Sequence, residues 1–196
     1  WIRERQDYVF DSNILNLPDD VYLDGYWQNE KYFKDIEHII RKEFSFKNDF
    51  NEESAAMADL ILSVNAVCVN VRRTDYVYNP LNSKTFAAMG TDYYKKAVDI
   101  IAGRVLDPHY FVFSDEVEWC KENLGFLNQA TFLGHEYAGK KFQHYLHLMT
   151  LCRHFIIPNS TFAWWAAWLN SNSDKIVVAP KKWVNKSKEV ALNEID

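Results

Sequence analysis

The sequence predicts an α/β domain built on a doubly wound parallel sheet, preceded by a mostly helical segment. Three observations carry this. From residue 64 onward, short β-branched or aromatic runs alternate with helix-length amphipathic runs. Five such strands separated by helices fit a parallel sheet covered on both faces. Three of the strand ends then carry polar or charged residues, Arg72-Arg73-Thr74-Asp75, Ser114-Asp115-Glu116 and Asn159-Ser160-Thr161, and sheets of this kind bind ligands at the carboxyl ends of their strands.

In chain order, residues 1–63 form the leading segment. Leu17-Pro18-Asp19-Asp20 reads as a turn and residues 22–27 as a short extended piece. Residues 29–46 are expected to be helical, with Tyr32, Phe33, Ile36, Ile39, Ile40 and Phe44 recurring at helical spacing. A second helix is expected from Glu52 to Leu62. The second domain, 64–196, opens with a strand over 66–72, in which Val67, Val69 and Val71 alternate with Cys68 and Asn70. A polar loop (77–90) and a helix (92–103) follow, the helix burying Tyr93, Tyr94, Ala97, Ile100 and Ile101. Strands are expected at 109–113, 129–133, 154–158 and 175–179. Helices are expected from Ser114 as N-cap, over 142–153, and over 162–169, where Trp164, Trp165 and Trp168 are expected to pack on the sheet.

Composition narrows the function classes. Of 196 residues, 48% are hydrophobic, so a substantial core can form. The net charge of −5, from 22 basic and 27 acidic residues, argues against a nucleic-acid partner. The cysteines, Cys68, Cys120 and Cys152, are scattered among apolar neighbours without metal spacing and read as buried free thiols in a reducing compartment. No run approaches the length of a membrane span and no signal peptide opens the sequence. The first residue is Trp1, and the chain is expected to be a piece of a longer protein. His109, His135, His147 and His154 stand singly and read as structural.

The strand ends point to an anion. Asn70 and Arg72 share one side of their strand while Arg73 lies at its exit, and a guanidinium fork matches the oxygens of a phosphate. A solvated strand end with Asp75 pairing one arginine explains the same pattern equally well. At Asn159-Ser160-Thr161 a strand runs into an almost wholly apolar helix. The first N–H groups of that helix have no partner within it, and an anion is the natural one. A plain helix cap and a glycosylation sequon compete there, and Asn185-Lys186-Ser187 is a second sequon.

Together, residues 69–77 (VNVRRTDYV), 111–116 (FVFSDE) and 147–170 (HLMTLCRHFIIPNSTFAWWAAWLN) resemble the α-1,2-fucosyltransferases of glycosyltransferase family 11, as does Gly25-Tyr26-Trp27-Gln28-Asn29-Glu30-Lys31-Tyr32-Phe33. The resemblance implies the Rossmann-like, donor-binding half of a GT-B-type enzyme. It would pass L-fucose from GDP-fucose to a galactose hydroxyl with inversion, without cofactor or metal. It places Arg72 and Arg73 on the diphosphate, Asp75 beside them, and Asn159, Ser160, Thr161 and Phe162 at the phosphate turn. Ser114 and Asp115 fall on the nucleotide side of the cleft. Two positions depart from the family pattern: Asn70 stands where its motif opens with histidine, and Tyr145 where many members have an aspartate facing the nucleotide.

The partners so implied are GDP-fucose, a galactose-terminated glycan acceptor and, peripherally, a membrane. Bacterial cytoplasm is the expected setting, or the Golgi in an animal. The fragment itself is expected to be inactive. A catalytically silent nucleotide-sugar module, another fucosyl linkage and a secreted glycosylated structural domain remain as alternatives.

Overall fold

The computed structural model describes residues 1–6, 8–47 and 49–184; the sequon at Asn185 lies outside them. The chain divides into two compact units, the first taking in Trp1–Ser45 and the second beginning at Phe46. In the first, the two-residue strands β1 (Ile2–Arg3) and β2 (Leu23–Asp24) pair in parallel. The helix expected over 29–46 is broken. Two 3₁₀ turns, Glu30–Tyr32 and Lys34–Ile36, precede α1 (Glu37–Glu43). Asn29 interrupts the run by capping the first turn, its side chain accepting from the Lys31 N–H at 3.1 Å. None of the described residues of this unit is fully buried, and Ile36, Ile39 and Phe44 of the expected stripe are exposed.

The second unit begins with α2 (Glu52–Ser63), capped by Asn51, whose side chain accepts from the Ser54 N–H at 2.9 Å. This helix packs on α7 (Gln143–Leu151), so it belongs with the sheet unit and not with the leading segment in which the sequence placed it. The remaining elements are β3 (Asn65–Val71), α3 (Thr74–Tyr78), α4 (Asn82–Thr85), α5 (Thr91–Ala102), β4 (Pro108–Ser114), α6 (Val117–Asn123), β5 (Ala130–Leu133), β6 (His154–Ile156), α8 (Thr161–Leu169) and β7 (Val177–Val178). The polar run 77–90 thus holds helical turns where a loop was expected.

Five strands form one wholly parallel sheet in the order β5-β4-β3-β6-β7, as the alternation of elements predicts. Strand β3 is central and buried on both faces. Ala66 and Cys68 enter a core with α2, α7 and α8, while Val67, Val69 and Val71 enter another with α5 and α6. All three cysteines are free and buried.

Helix α8 departs from expectation in its facing. Ala163, Ala166 and Ala167 are its buried residues, while Trp164, Trp165 and Trp168 are half-buried and pack on one another, Trp164 and Trp168 stacking at 6.2 Å. Small inward residues let α8 lie close to α7, since interaxial distance is set by the side chains at the contact. The helix ends at Asn170, whose buried amide donates to the Thr150 and Cys152 carbonyls at 2.9 and 2.8 Å.

Three histidines serve the fold. His147 is sandwiched between Phe46 and Phe50 at 4.1 and 4.2 Å, and His109 Nε2 lies 2.8 Å from Thr131 Oγ1. His154 Nδ1 accepts from the Ile176 N–H at 3.1 Å. Burial lowers the pKa of all three, helped at His147 by His144 and at His154 by Arg153. A base whose folded pKa is lowered binds its proton more tightly unfolded, so stability is lost as pH falls through about 6.5 toward the folded values. The thermal midpoint should therefore drop between pH 7.5 and 5.5. A profile flat across that interval would contradict this assignment.

Candidate functional site

The site is built by strand register. Val69 of β3 faces Val112 of β4 on one side and Ile156 of β6 on the other. Counting three residues onward along each strand reaches Arg72, Asp115 and Asn159, level with one another at the carboxyl edge of the sheet. Counting four reaches Arg73, Glu116 and Ser160. Neighbouring strands lie about 4.8 Å apart, so the pairing brings the three strand ends to one edge of the sheet.

Asp115 organises the exit from β3. Its Oδ1 accepts from the Arg73 N–H at 2.9 Å and its Oδ2 from the Thr74 N–H at 3.2 Å, satisfying backbone donors at the start of α3. The same Oδ2 ion-pairs with Arg72 Nη1 at 3.0 Å. Asp75 holds Arg72 from the other side, Oδ1 to Nη2 at 2.7 Å, and its Oδ2 accepts from the Asn82 amide at 3.2 Å. Asp115 is therefore an anchor for the arginine loop, with its carboxylate engaged.

The two guanidiniums part. Arg72 follows Asn70 on the α7–α8 face, and its side chain is 41% exposed. Arg73 turns to the opposite face, where its guanidinium lies 3.8 Å from the Trp119 ring centroid on α6 and donates from Nε to Glu116 at 3.1 Å. Its side chain is 14% exposed. Only Arg72 keeps a surface to offer a ligand from outside the sheet edge.

Asn159 and Ser160 form the third strand end. Asn159 is buried, its amide donating to the Trp183 carbonyl at 2.8 Å while its Oδ1 has no hydrogen-bond partner among the described residues. A side chain so placed cannot accept a glycan in the folded protein. Ser160 is the N-cap of α8, yet its side chain makes no capping hydrogen bond, so among the described residues the first N–H groups of the helix have no side-chain cap. Thr161 is exposed at the first turn, and Phe162 packs partly into the core.

Tyr76 joins the two ends, its hydroxyl donating to the Asn159 carbonyl at 2.8 Å. Its ring stacks on Phe86 at 5.0 Å and lies 6.0 Å from the Arg72 guanidinium. Burial, reinforced by the Asp75 carboxylate, pushes its pKa up to about 12, so the hydroxyl keeps its proton across the physiological range.

Three expected ligand residues are engaged within the fold. Tyr145 is buried and donates to the Leu133 and Gly134 carbonyls at 2.7 and 2.6 Å. Its neighbour His144 lines an open groove of about 520 Å³ with Asn51, His135, Glu136 and Lys140. Ser114 is buried, and its hydroxyl accepts from the Glu116 N–H at 2.9 Å. Helix α6 accordingly starts at Val117, with Glu116 as N-cap, rather than directly after Ser114. Asn70 is buried and donates to the Phe113 carbonyl at 3.2 Å.

Tyr76, Asn82, Glu116 and Trp119 were not among the residues expected at the site. The signal for Glu116 was its match in register to Arg73, legible only once β3 and β4 are neighbours. Removing Arg73, only 14% exposed, leaves the partly buried Glu116 carboxylate without its cation and loses a largely desolvated cation–π contact. Arg73→Ala should thus cost about 2–4 kcal/mol in urea unfolding. Arg72→Ala, at a guanidinium 41% exposed whose partner Asp115 keeps its two backbone donors, should cost less than about 1 kcal/mol. Equal losses would contradict the division between them.

Among the described residues no helix is long and apolar enough to cross a membrane. The model of glycosyl transferase family 11 matches residues 6–194. An alpha-1,2-colitosyltransferase of Escherichia coli is 32% identical over 88% of this chain and 58% of its own length. The Escherichia coli O-antigen biosynthesis glycosyltransferase WbnK is 32% identical over 96% of this chain and 65% of its own. For the galactoside alpha-(1,2)-fucosyltransferase 2 of Mus musculus the figures are 32%, 91% and 51%. The chain thus spans between about half and two thirds of the length of these relatives. Among solved structures, the fucosyltransferase NodZ from Bradyrhizobium overlaps 80% of this chain and 63% of its own at a TM-score of 0.40 and 12% identity, too loosely to bear on function. The family match over nearly the whole sequence fixes the assignment: this chain belongs to glycosyl transferase family 11.

Proposed function

We propose that the chain is the donor-binding part of an α-1,2-fucosyltransferase, holding the diphosphate of GDP-fucose between Arg72 and the start of α8. The galactose hydroxyl of a glycan is the acceptor. The observation that carries this is the amino terminus of α8, which lacks a side-chain cap among the described residues and offers N–H groups and two hydroxyls at the same sheet edge as the half-exposed Arg72. Neutral backbone donors at a helix start favour an anion by about 0.3–1 kcal/mol. Each charge-assisted hydrogen bond adds about 1.5–3 kcal/mol.

As the bond from sugar to phosphate stretches, negative charge grows on the leaving diphosphate. Donors already fixed toward it stabilise the transition state more than the ground state. Arg72 and the α8 start supply that stabilisation, and no metal is needed in this scheme. Asp75, held by Arg72 and Asn82, is given no proton-transfer role. Two of the three relatives are named for α-1,2 transfer but divide over the sugar, one being named for colitose and the other for fucose at the same identity. Colitosyl transfer is therefore the second reading. Bacterial cytoplasm is the proposed setting, supported by the Escherichia coli relatives and the free thiols.

Calorimetry of this chain should show GDP binding more tightly than guanosine, with Arg72→Ala weakening GDP about 10-fold or more and guanosine little. GDP and guanosine bound alike, or an unchanged GDP affinity in Arg72→Ala, would overturn the donor-site assignment. Turnover of the full-length protein with GDP-fucose and GDP-colitose over galactose-terminated acceptors decides the sugar.

A further inference from the structure

We infer that Tyr76 is a positioning residue that fixes the Asn159–Ser160 peptide so that the α8 start and Arg72 face one ligand; this rests on the reading of that turn as an anion site. The observation is the hydrogen bond from the Tyr76 hydroxyl to the Asn159 carbonyl at 2.8 Å, across 83 residues of sequence. A peptide group is planar, so holding its carbonyl also sets the direction of the Ser160 N–H and the placement of the Ser160 Cα and side chain. The Ser160 N–H turns back to the Pro158 carbonyl at 2.8 Å, which leaves the Ser160 hydroxyl and the N–H groups after it as the donors of the turn.

Tyr76 is itself held from three sides. Phe86 stacks on its ring at 5.0 Å and 12°, Arg72 lies over it at 6.0 Å, and the preceding residue, Asp75, is tied to Asn82 on α4. The segment 74–86 thereby acts as a strap. One end carries the carboxylate that aims Arg72, and the middle carries the hydroxyl that aims the phosphate turn. A single rigid ring connects the charged and the neutral halves of the site, so a shift in either is transmitted to the other. The polar character of residues 77–90 follows from this role, since the strap lies along the surface and contributes anchors rather than core.

Tyr76→Phe removes the hydroxyl and keeps the ring between Phe86 and Arg72. Its affinities for inorganic pyrophosphate and for GDP should both fall about 3- to 10-fold, while guanosine affinity and the far-ultraviolet spectrum stay as in the wild type. Pyrophosphate bound equally tightly by both proteins would overturn the inference. So would a variant that melts earlier yet keeps full pyrophosphate affinity, which would leave Tyr76 a structural role only. A wild-type chain that binds pyrophosphate but not GDP would overturn the donor assignment alone, the inference then resting on the pyrophosphate ratio. Binding of neither by the wild type would overturn both.

Discussion

The parallel register of β4, β3 and β6 is the constraint on which the site depends. Val112, Val69 and Ile156 lie in one row across the sheet, and the residues three steps beyond each are an acid, an arginine and the turn before a helix. Slipping β3 by one residue would exchange Arg72 and Arg73 between faces, because side chains alternate along a strand. The register is protected by the two cores it feeds, apolar on both sides of β3. Residues that carry no chemistry thus decide which guanidinium lies on the α7–α8 face.

The charges at that edge have a consequence for binding. Arg72 and Arg73 stand among three carboxylates, Asp75, Asp115 and Glu116, so without ligand the edge is not a cationic pocket. The Arg72 guanidinium is itself half-exposed in both of its pairs, and pairs made by such a group contribute only about 0–1 kcal/mol. They can be exchanged for a better partner at small cost. Arg73 is sealed against Trp119 and cannot exchange. The N–H groups of α8 belong to the backbone and carry no charge for an acid to neutralise, so in the proposed anion site the helix start is the permanent part and Arg72 the adjustable part.

Much of the fold was legible because period and composition agree. Alternating valines on β3, the aromatic run on β4 and the apolar run at 154–157 each state a buried strand without tertiary help. The turn at 159–161 was legible too, as a strand end that runs through three small polar residues into an apolar helix. What could not be read depended on neighbours. Tyr145, Asn70 and Ser114 lie where ligand contacts are expected, but their polar groups meet backbone carbonyls and amides at the strand ends. The arginines look equivalent until sheet order places Glu116 and Trp119 beside one of them. In α8 the alanines are the fully buried residues and of the tryptophans Trp164 packs partly against the core, because the separation of α7 and α8 sets which side chains fit.

Backbone amide shifts on titration with GDP and with guanosine provide the most direct measurement. Large changes at residues 161–163 and at the Arg72 Nε–H, seen with GDP and absent with guanosine, are expected if the α8 start and Arg72 share the diphosphate. GDP binding that leaves those amides unmoved while others shift would contradict it.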